Sequence, residues 1–232
     1  MQNIYILFCN LYSIIFSFLE RVLFKKKNVN KKLFYKLDQI HLNKISYENF
    51  QIIKKNEYLE KIIFPKHNLI ELIDNLFVSN KLKQKITEMT GYEYSISFFT
   101  AYKIYKLKNE DIGKNLYANI FHTDKPYTEN MLKIIFTFNS ITEQNGPMEL
   151  ILENKSIYKA CLDLSEIFIF FPNLIKHRAT SPQTGERFQM MFQLNPANKW
   201  QINEEIFNKQ KFREPKFPFF SYFFDKKKYF NI

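Results

Sequence analysis

Gly91-Tyr92-Glu93-Tyr94-Ser95-Ile96-Ser97-Phe98 is the stretch in which the chain changes its period. Tyr92, Tyr94, Ile96 and Phe98 alternate with Glu93, Ser95 and Ser97, the two-residue rhythm of a half-buried strand. On the N-terminal side, Leu69, Leu72, Ile73, Leu76 and Phe77 recur at helical spacing, with Asn68 and Glu71 placed as a capping box. Ser79 is placed to start a second short helix carrying Leu82, Ile86 and Met89, which Gly91 closes. Helices are therefore expected within 68–90.

On the C-terminal side the short period persists. A second extended piece runs to about Leu107, Asn109 to Gly113 turns, and another strand is expected to lead into His122. Leu132, Ile134, Phe136 and Phe138 alternate with Lys133, Ile135, Thr137 and Asn139, before a strong turn at Gln144-Asn145-Gly146-Pro147. Ile167 to Phe171 reads as a strand covered on both faces. Phe188, Met190, Phe192 and Leu194 alternate with Gln189, Met191 and Gln193, and Pro196 is expected to end that strand. Helices followed by many short strands give an α+β domain with a mainly β core over 91–196, a jelly roll or sandwich.

The chain has 232 residues and 46% hydrophobic side chains, enough to bury the core of one domain and to exclude global disorder. We expect that domain at 31–200, between an apolar, basic N-terminal helix (1–30) and an aromatic, basic tail (201–232) packed on the core. The formal net charge of +11 suits an anionic partner. The charges are spread out, however, and no helix-turn-helix, zinc-finger or RNP pattern accompanies them, so nucleic acid is disfavoured. A solvated, lysine-rich surface is the favoured reading of this charge, and an acidic substrate would also suit it. Cys9 and Cys161 form no framework and no Cys-x-x-Cys, which points to a reducing, cytoplasmic setting.

Ile4 to Leu19 is apolar but shorter than a spanning helix wants, with no basic segment before it and no cleavage site after it. Lys25-Lys26-Lys27 follow. Phe217 to Lys228 again joins aromatic residues to lysines. Both ends read as elements packed on the domain or on a partner, with peripheral membrane contact as the alternative.

Chemistry concentrates at Phe121-His122-Thr123-Asp124. Positions two apart on a strand share a face, so this imidazole and carboxylate can reach one metal. His-x-Asp occurs by chance in many chains, and two later residues give it meaning. His177 follows the buried strand, where a double-stranded β-helix would return the chain beside the first ligand. Two His and one carboxylate form the facial triad of non-haem iron oxygenases, and the same residue types serve catalytic zinc. Arg187 separates the two readings. It lies ten positions after His177, across a turn at Ser181-Pro182-Gln183-Thr184-Gly185. A hairpin centred near Pro182 would set position 177 opposite 187 on adjacent strands. A planar guanidinium there can fork onto a carboxylate such as the far end of 2-oxoglutarate, for which a zinc hydrolase has no general need. Arg178 would face away. Strand alternation adds Lys133 and Thr137 as further 2-oxoglutarate contacts, and Gln189 and Gln193 as substrate-pocket residues. The alternative for these four is the solvent face of a sheet.

The span from about Gly91 to Pro196 resembles the phytanoyl-CoA dioxygenase-like group of iron/2-oxoglutarate oxygenases. The matching residues are Phe121 to Asp124, Leu132 to Phe138, Glu143 to Met148, Ile169-Phe170 before His177, and Gly185-Glu186-Arg187. The resemblance implies a double-stranded β-helix (jelly roll, cupin-like) with N-terminal helices. It implies Fe(II) on His122, Asp124 and His177, and 2-oxoglutarate held by Arg187. Halogenases of this group lack the carboxylate ligand; Asp124 is present, so the resemblance implies hydroxylation or a related oxidation. The basic, aromatic ends separately suggest a small or lipid-linked substrate. The chain departs from the group at Leu150 to Ser156, which replaces a Pro-Gly-Ser-His-like segment, so the group's substrates do not carry over. Two other classes compete: a cupin-like zinc or manganese enzyme or metal-free binding module, and a membrane-surface adaptor.

Overall fold

The computed structural model describes residues 2–30, 32–38, 50–124, 127–208, 210 and 229–231. α1 (Gln2–Phe24) is followed by β1 (Phe34–Leu37) and a hairpin of β2 (Gln51–Asn56) and β3 (Leu59–Ile63). α2 (Lys66–Ile73) passes through a π-helical turn at Asp74–Ser79 towards α3 (Leu82–Thr90). Next come β4 (Glu93–Tyr105), β5 (Leu132–Thr137), β6 (Met148–Ile151), β7 (Ile157–Ala160) and β8 (Ile167–Phe170). β9 (His177–Ala179), β10 (Glu186–Ala197), β11 (Gln201–Asn203), α4 (Glu205–Asn208) and β12 (Tyr229–Asn231) complete the order.

Two sheets result. The larger runs β1-β8-β5-β10-β4-β11-β12, with β3 on another part of β4 and β2 outside it; the smaller is β7-β6-β9. From β5 to β10 the chain passes back and forth between the sheets, which makes a double-stranded β-helix.

The two-residue alternation explains the layering. Phe188, Met190, Phe192 and Leu194 of β10 join Ile134 and Phe136 of β5 in one core with Leu72, Leu76, Phe77 and Ile86 of the helical segment. The opposite face gives Met191, Ile135, Phe168 and Phe170 to a second core with Met148 and Leu150 of the smaller sheet. Each large apolar side chain buried in these cores contributes roughly 1.5–3 kcal/mol. The large sheet is thus covered on both faces, and its polar side chains point into the space between the sheets. α1 rests on the domain through Tyr12 and Phe24, which join the first core with Phe16 and Leu19 beside them, and through polar groups. Thr128 Oγ1 donates to Glu20 Oε2 at 2.6 Å, Asn130 Nδ2 to Ser17 O at 3.0 Å, and the Glu129 N–H to Ser17 Oγ at 2.8 Å.

Several expectations are corrected. β1 to β3 are strands in a segment whose lysines hid their pattern. α2 starts at Lys66 behind Pro65, with no side-chain cap, so Asn68 lies inside the helix. Proline's fixed φ, here −55°, sets the helix entry instead. α3 starts after Lys81, not Ser79. No strand leads into His122, which joins the sheet as an isolated bridge to His177. The expected hairpin between positions 177 and 187 does not form: β9 pairs with β6, and β10 with β4 and β5. His177 faces Leu150 and Arg187 faces Ile104, because the segment between them changes sheets. β10 continues through Pro196 to Ala197. Of the expected tail, β11 extends β4 in parallel, and residues 211–228 lie outside the described residues.

Gly91 meets its sequence expectation as the stop of α3, at a left-handed φ of +79°. Its carbonyl accepts the Lys26 N–H at 2.7 Å, and a Cβ added there would lie 2.1 Å from Lys27 O. Gly91→Ala is expected to cost about 2–3 kcal/mol, from strain at positive φ plus displacement of the turn after α1. A urea titration reads this as a lower midpoint at unchanged slope.

Candidate metal and carboxylate-binding site

His122 and His177 exchange both backbone hydrogen bonds, at 3.0 and 2.9 Å, so their side chains share a face. The two rings lie 4.5 Å apart. Asp124 is fixed by its N–H, which donates to Pro172 O at 2.9 Å. Its Oδ1 lies 3.5 Å from His122 Nε2 and 3.6 Å from His177 Nε2. One ligand atom from each of the three residues falls within 4.8 Å of the others.

The tautomers follow from the partners. His122 Nδ1 lies 2.8 Å from Ile120 O, and His177 Nδ1 lies 3.0 Å from Ile175 O. A carbonyl can only accept, so each Nδ1 carries the proton and each neutral ring turns its Nε2 lone pair toward Asp124. Two imidazole lone pairs and a carboxylate oxygen converge on one point, a donor set suited to a divalent metal.

Electrostatics sharpen this. Once protonated, His122 donates a hydrogen bond to Asp124, which raises its pKa above the ordinary value against the effect of burial. Burial lowers His177 to about 4, so that ring is neutral at physiological pH. For Asp124, burial opposes ionisation, but Lys133 and His122 outweigh it and hold the carboxyl well below the usual range. Lys133 Nζ takes the outer oxygen, Oδ2, at 2.7 Å.

Arg187 lies in the same cavity, a space of about 500 Å³ between the sheets. It is 0% exposed. Its Nη1 donates to Gly146 O, while Nε and Nη2 have no hydrogen-bond partner, and among the described residues no carboxylate pairs with it. Burial pushes the guanidinium pKa down, with the neighbouring Tyr102 and Tyr117 acting against this. A buried charge left so incompletely paired costs several kcal/mol, unless a ligand completes it. The free edge is a two-donor fork sized for a carboxylate. Gly146 owes its place to a φ of +79° and to backbone at Thr180 to Pro182 that would meet a Cβ at 2.7–2.9 Å.

The other expected residues separate. Lys133 and Gln189 line the cavity, but Lys133 is turned to Asp124, and Gln189 Nε2 donates to the Tyr102 hydroxyl. Thr137 and Gln193 are buried yet are not brought to the cavity wall; Thr137 Oγ1 donates to Phe188 O at 2.7 Å. Arg178 faces outward onto Glu149, with Nη2 to Oε2 at 2.7 Å. Sequence reasoning missed Tyr102, Tyr117, Tyr127, Lys55 and Lys61, all on the wall. Tyr102 shares a strand face with Phe98, but a bulge at Ser97 turns Phe98 away from the face of Tyr94 and Ile96 on which the alternation had set it.

Neither a family model nor any curated protein matches the sequence. Solved structures similar to this chain include HygX from Streptomyces hygroscopicus with nickel, 2-oxoglutarate and hygromycin B bound. That match has 9% identity over 71% of this chain and 83% of the other, with a TM-score of 0.48. SnoN, a non-haem alpha-ketoglutarate-dependent epimerase from nogalamycin biosynthesis, gives 10% identity over 63% and 66%, with a TM-score of 0.47. A putative oxygenase from Shewanella oneidensis gives 11% identity over 72% and 83%, with a TM-score of 0.41.

Metal and proton compete for His122 Nε2, so affinity for a redox-stable probe such as Ni(II) is expected to fall about tenfold per pH unit below the raised His122 pKa. His177, titrating near 4, adds no dependence above about pH 6. Calorimetric titration at several pH values reads this, and Asp124→Ala is expected to abolish binding. Affinity independent of pH between about 6 and 8 would remove His122 from the ligand set.

Proposed function

We propose that this chain is an Fe(II)/2-oxoglutarate-dependent oxygenase that hydroxylates a small or lipid-linked substrate. The observation that carries the proposal is Arg187: a fully buried guanidinium whose Nε and Nη2 have no hydrogen-bond partner, lining the same cavity as the two histidines of a His/Asp/His triad. A metal-free binding module has no use for the triad, and a zinc hydrolase has none for the fork. The finer resemblance to the phytanoyl-CoA dioxygenase-like group rests on the motifs quoted above.

His122 and His177 would hold iron through Nε2, and Asp124 through Oδ1. Lys133 keeps Asp124 ionised and turned inward by binding Oδ2. Arg187 would receive the distal carboxylate of 2-oxoglutarate through Nε and Nη2, while Gly146 O fixes the plane of the guanidinium. Iron and 2-oxoglutarate together supply oxidation of an unactivated C–H bond by dioxygen, with succinate and carbon dioxide as co-products. Phe170, Ile135 and Met191 give the cavity an apolar lining. Lys55 and Lys61 on the β2–β3 hairpin line the wall and suit a substrate bearing an acidic group.

Purified protein supplied with Fe(II), ascorbate and 2-oxoglutarate is expected to release succinate. His177→Ala is expected to abolish release. Arg187→Ala is expected to raise the KM for 2-oxoglutarate by about a hundredfold, the worth of a charge-assisted bidentate contact. Wild-type protein that forms no succinate, or an Arg187→Ala variant with unchanged KM, rules the proposal out.

A further inference from the structure

α1 packs Tyr12, Phe16, Leu19 and Phe24 onto the core and turns a second apolar face outward. Inward, Ser13, Ser17 and Glu20 bind the domain: besides the contacts of residues 128–130, Asn173 Nδ2 donates to Ser13 Oγ at 2.7 Å. Outward, Ile4, Leu7, Leu11, Ile14, Phe18 and Val22 are 48–72% exposed. At 3.6 residues per turn they fall on one arc of about 80°, which Ile15 widens to about 100°. A continuous exposed apolar strip of this kind marks a contact surface.

Charge selects what covers it. The arc itself carries no charge. Arg21 borders it, and Lys26 and Lys27 follow in an exposed turn held to Gly91. The sole acidic side chain of residues 2–30 is Glu20, which is 2% exposed and turned to Thr128 and Asn130. An apolar arc with purely positive borders complements the interface of an anionic membrane. A partner helix would be served by a narrower seam flanked by charges of both signs.

α1 is long and apolar enough to cross a bilayer by itself. Its inward face, however, is hydrogen-bonded to the domain, which sets it along the surface. We propose that α1 is a membrane-docking helix that seats this chain on anionic lipid. Asn173 Nδ2 also donates to Tyr127 O, and Tyr127 lines the cavity. Helix and cavity therefore share a wall, and docking brings the cavity to the lipid surface. Only the corollary, a lipid-borne substrate, rests on the oxygenase reading; docking does not.

The full chain is tested by flotation with phosphatidylcholine vesicles, with and without about 30 mol% phosphatidylserine. It is expected to float with the anionic vesicles and much less with the neutral ones. Lys26→Ala with Lys27→Ala is expected to lower the partition coefficient on anionic vesicles by roughly thirtyfold. Leu11→Ser with Ile14→Ser and Phe18→Ser is expected to abolish flotation at an unchanged melting temperature, since all three are exposed. Wild-type protein that stays unbound to anionic vesicles overturns the proposal, whatever its succinate yield. So does a triple variant that floats like wild type. If unbound wild-type protein sediments as a dimer that the triple variant dissociates, the face belongs to a second copy.

Discussion

β10 is paired along its length with β4 on one side and, over Gln189 to Leu194, with β5 on the other, and this constraint fixes both the core and the site. Its side chains alternate, so Phe188 and Phe192 enter the helix-covered core while Arg187 and Gln189 enter the cavity. A slip of one residue would exchange the two sets, driving a guanidinium among phenylalanines. Phe192 resists this by packing on Phe77, Phe99 and Phe136, with ring centroids 4.8–5.7 Å apart. Apolar packing on one face of the strand thereby aims the polar chemistry on the other.

The buried charges are organised around that strand. Lys133, on the neighbouring β5, sits opposite Gln193 and neutralises the outer oxygen of Asp124, leaving the inner oxygen to the two histidines. Arg187 has no such counter-charge among the described residues, and its remaining donors lie along the same cavity wall. One end of the cavity is therefore complete in its charge balance before any metal arrives, while the other depends on an anion. This polarity would give an extended dianion a definite orientation, with one carboxylate at the arginine.

Much of this was legible in the sequence. The switch of period at Gly91, the alternation in β5 and β10, and the residue types at 122, 124, 177 and 187 are local signals that folding preserves. The route by which Arg187 reaches the site was not legible. Ten residues containing a proline and a glycine are compatible with a tight hairpin, and equally with a passage from one sheet to the other; only pairing with β4 and β5 decides. Lys133 was placed on the correct face, but its partner was invisible, because Asp124 arrives from an irregular segment. Thr137 and Gln193 share the strand faces of true cavity residues and still miss the wall, since alternation fixes a side and not a depth. Tyr102 and Tyr117 were lost among the chain's 14 tyrosines.

The hydrogen bonds that seat α1 span 108 to 160 residues of sequence, from Glu20 to Thr128 and from Ser13 to Asn173. α1 precedes these partners in the chain, so its Ser13, Ser17 and Glu20 have nothing to bind until residues 128–173 have followed. At roughly 5–20 residues per second, synthesis leaves it undocked for about ten to thirty seconds. During that interval both the apolar strip and the serine-glutamate face are open to water, chaperones or lipid. Asn173 joins Ser13 of α1 to Tyr127 of the cavity wall, so the seating of the helix and the closing of that wall depend on the same late residue.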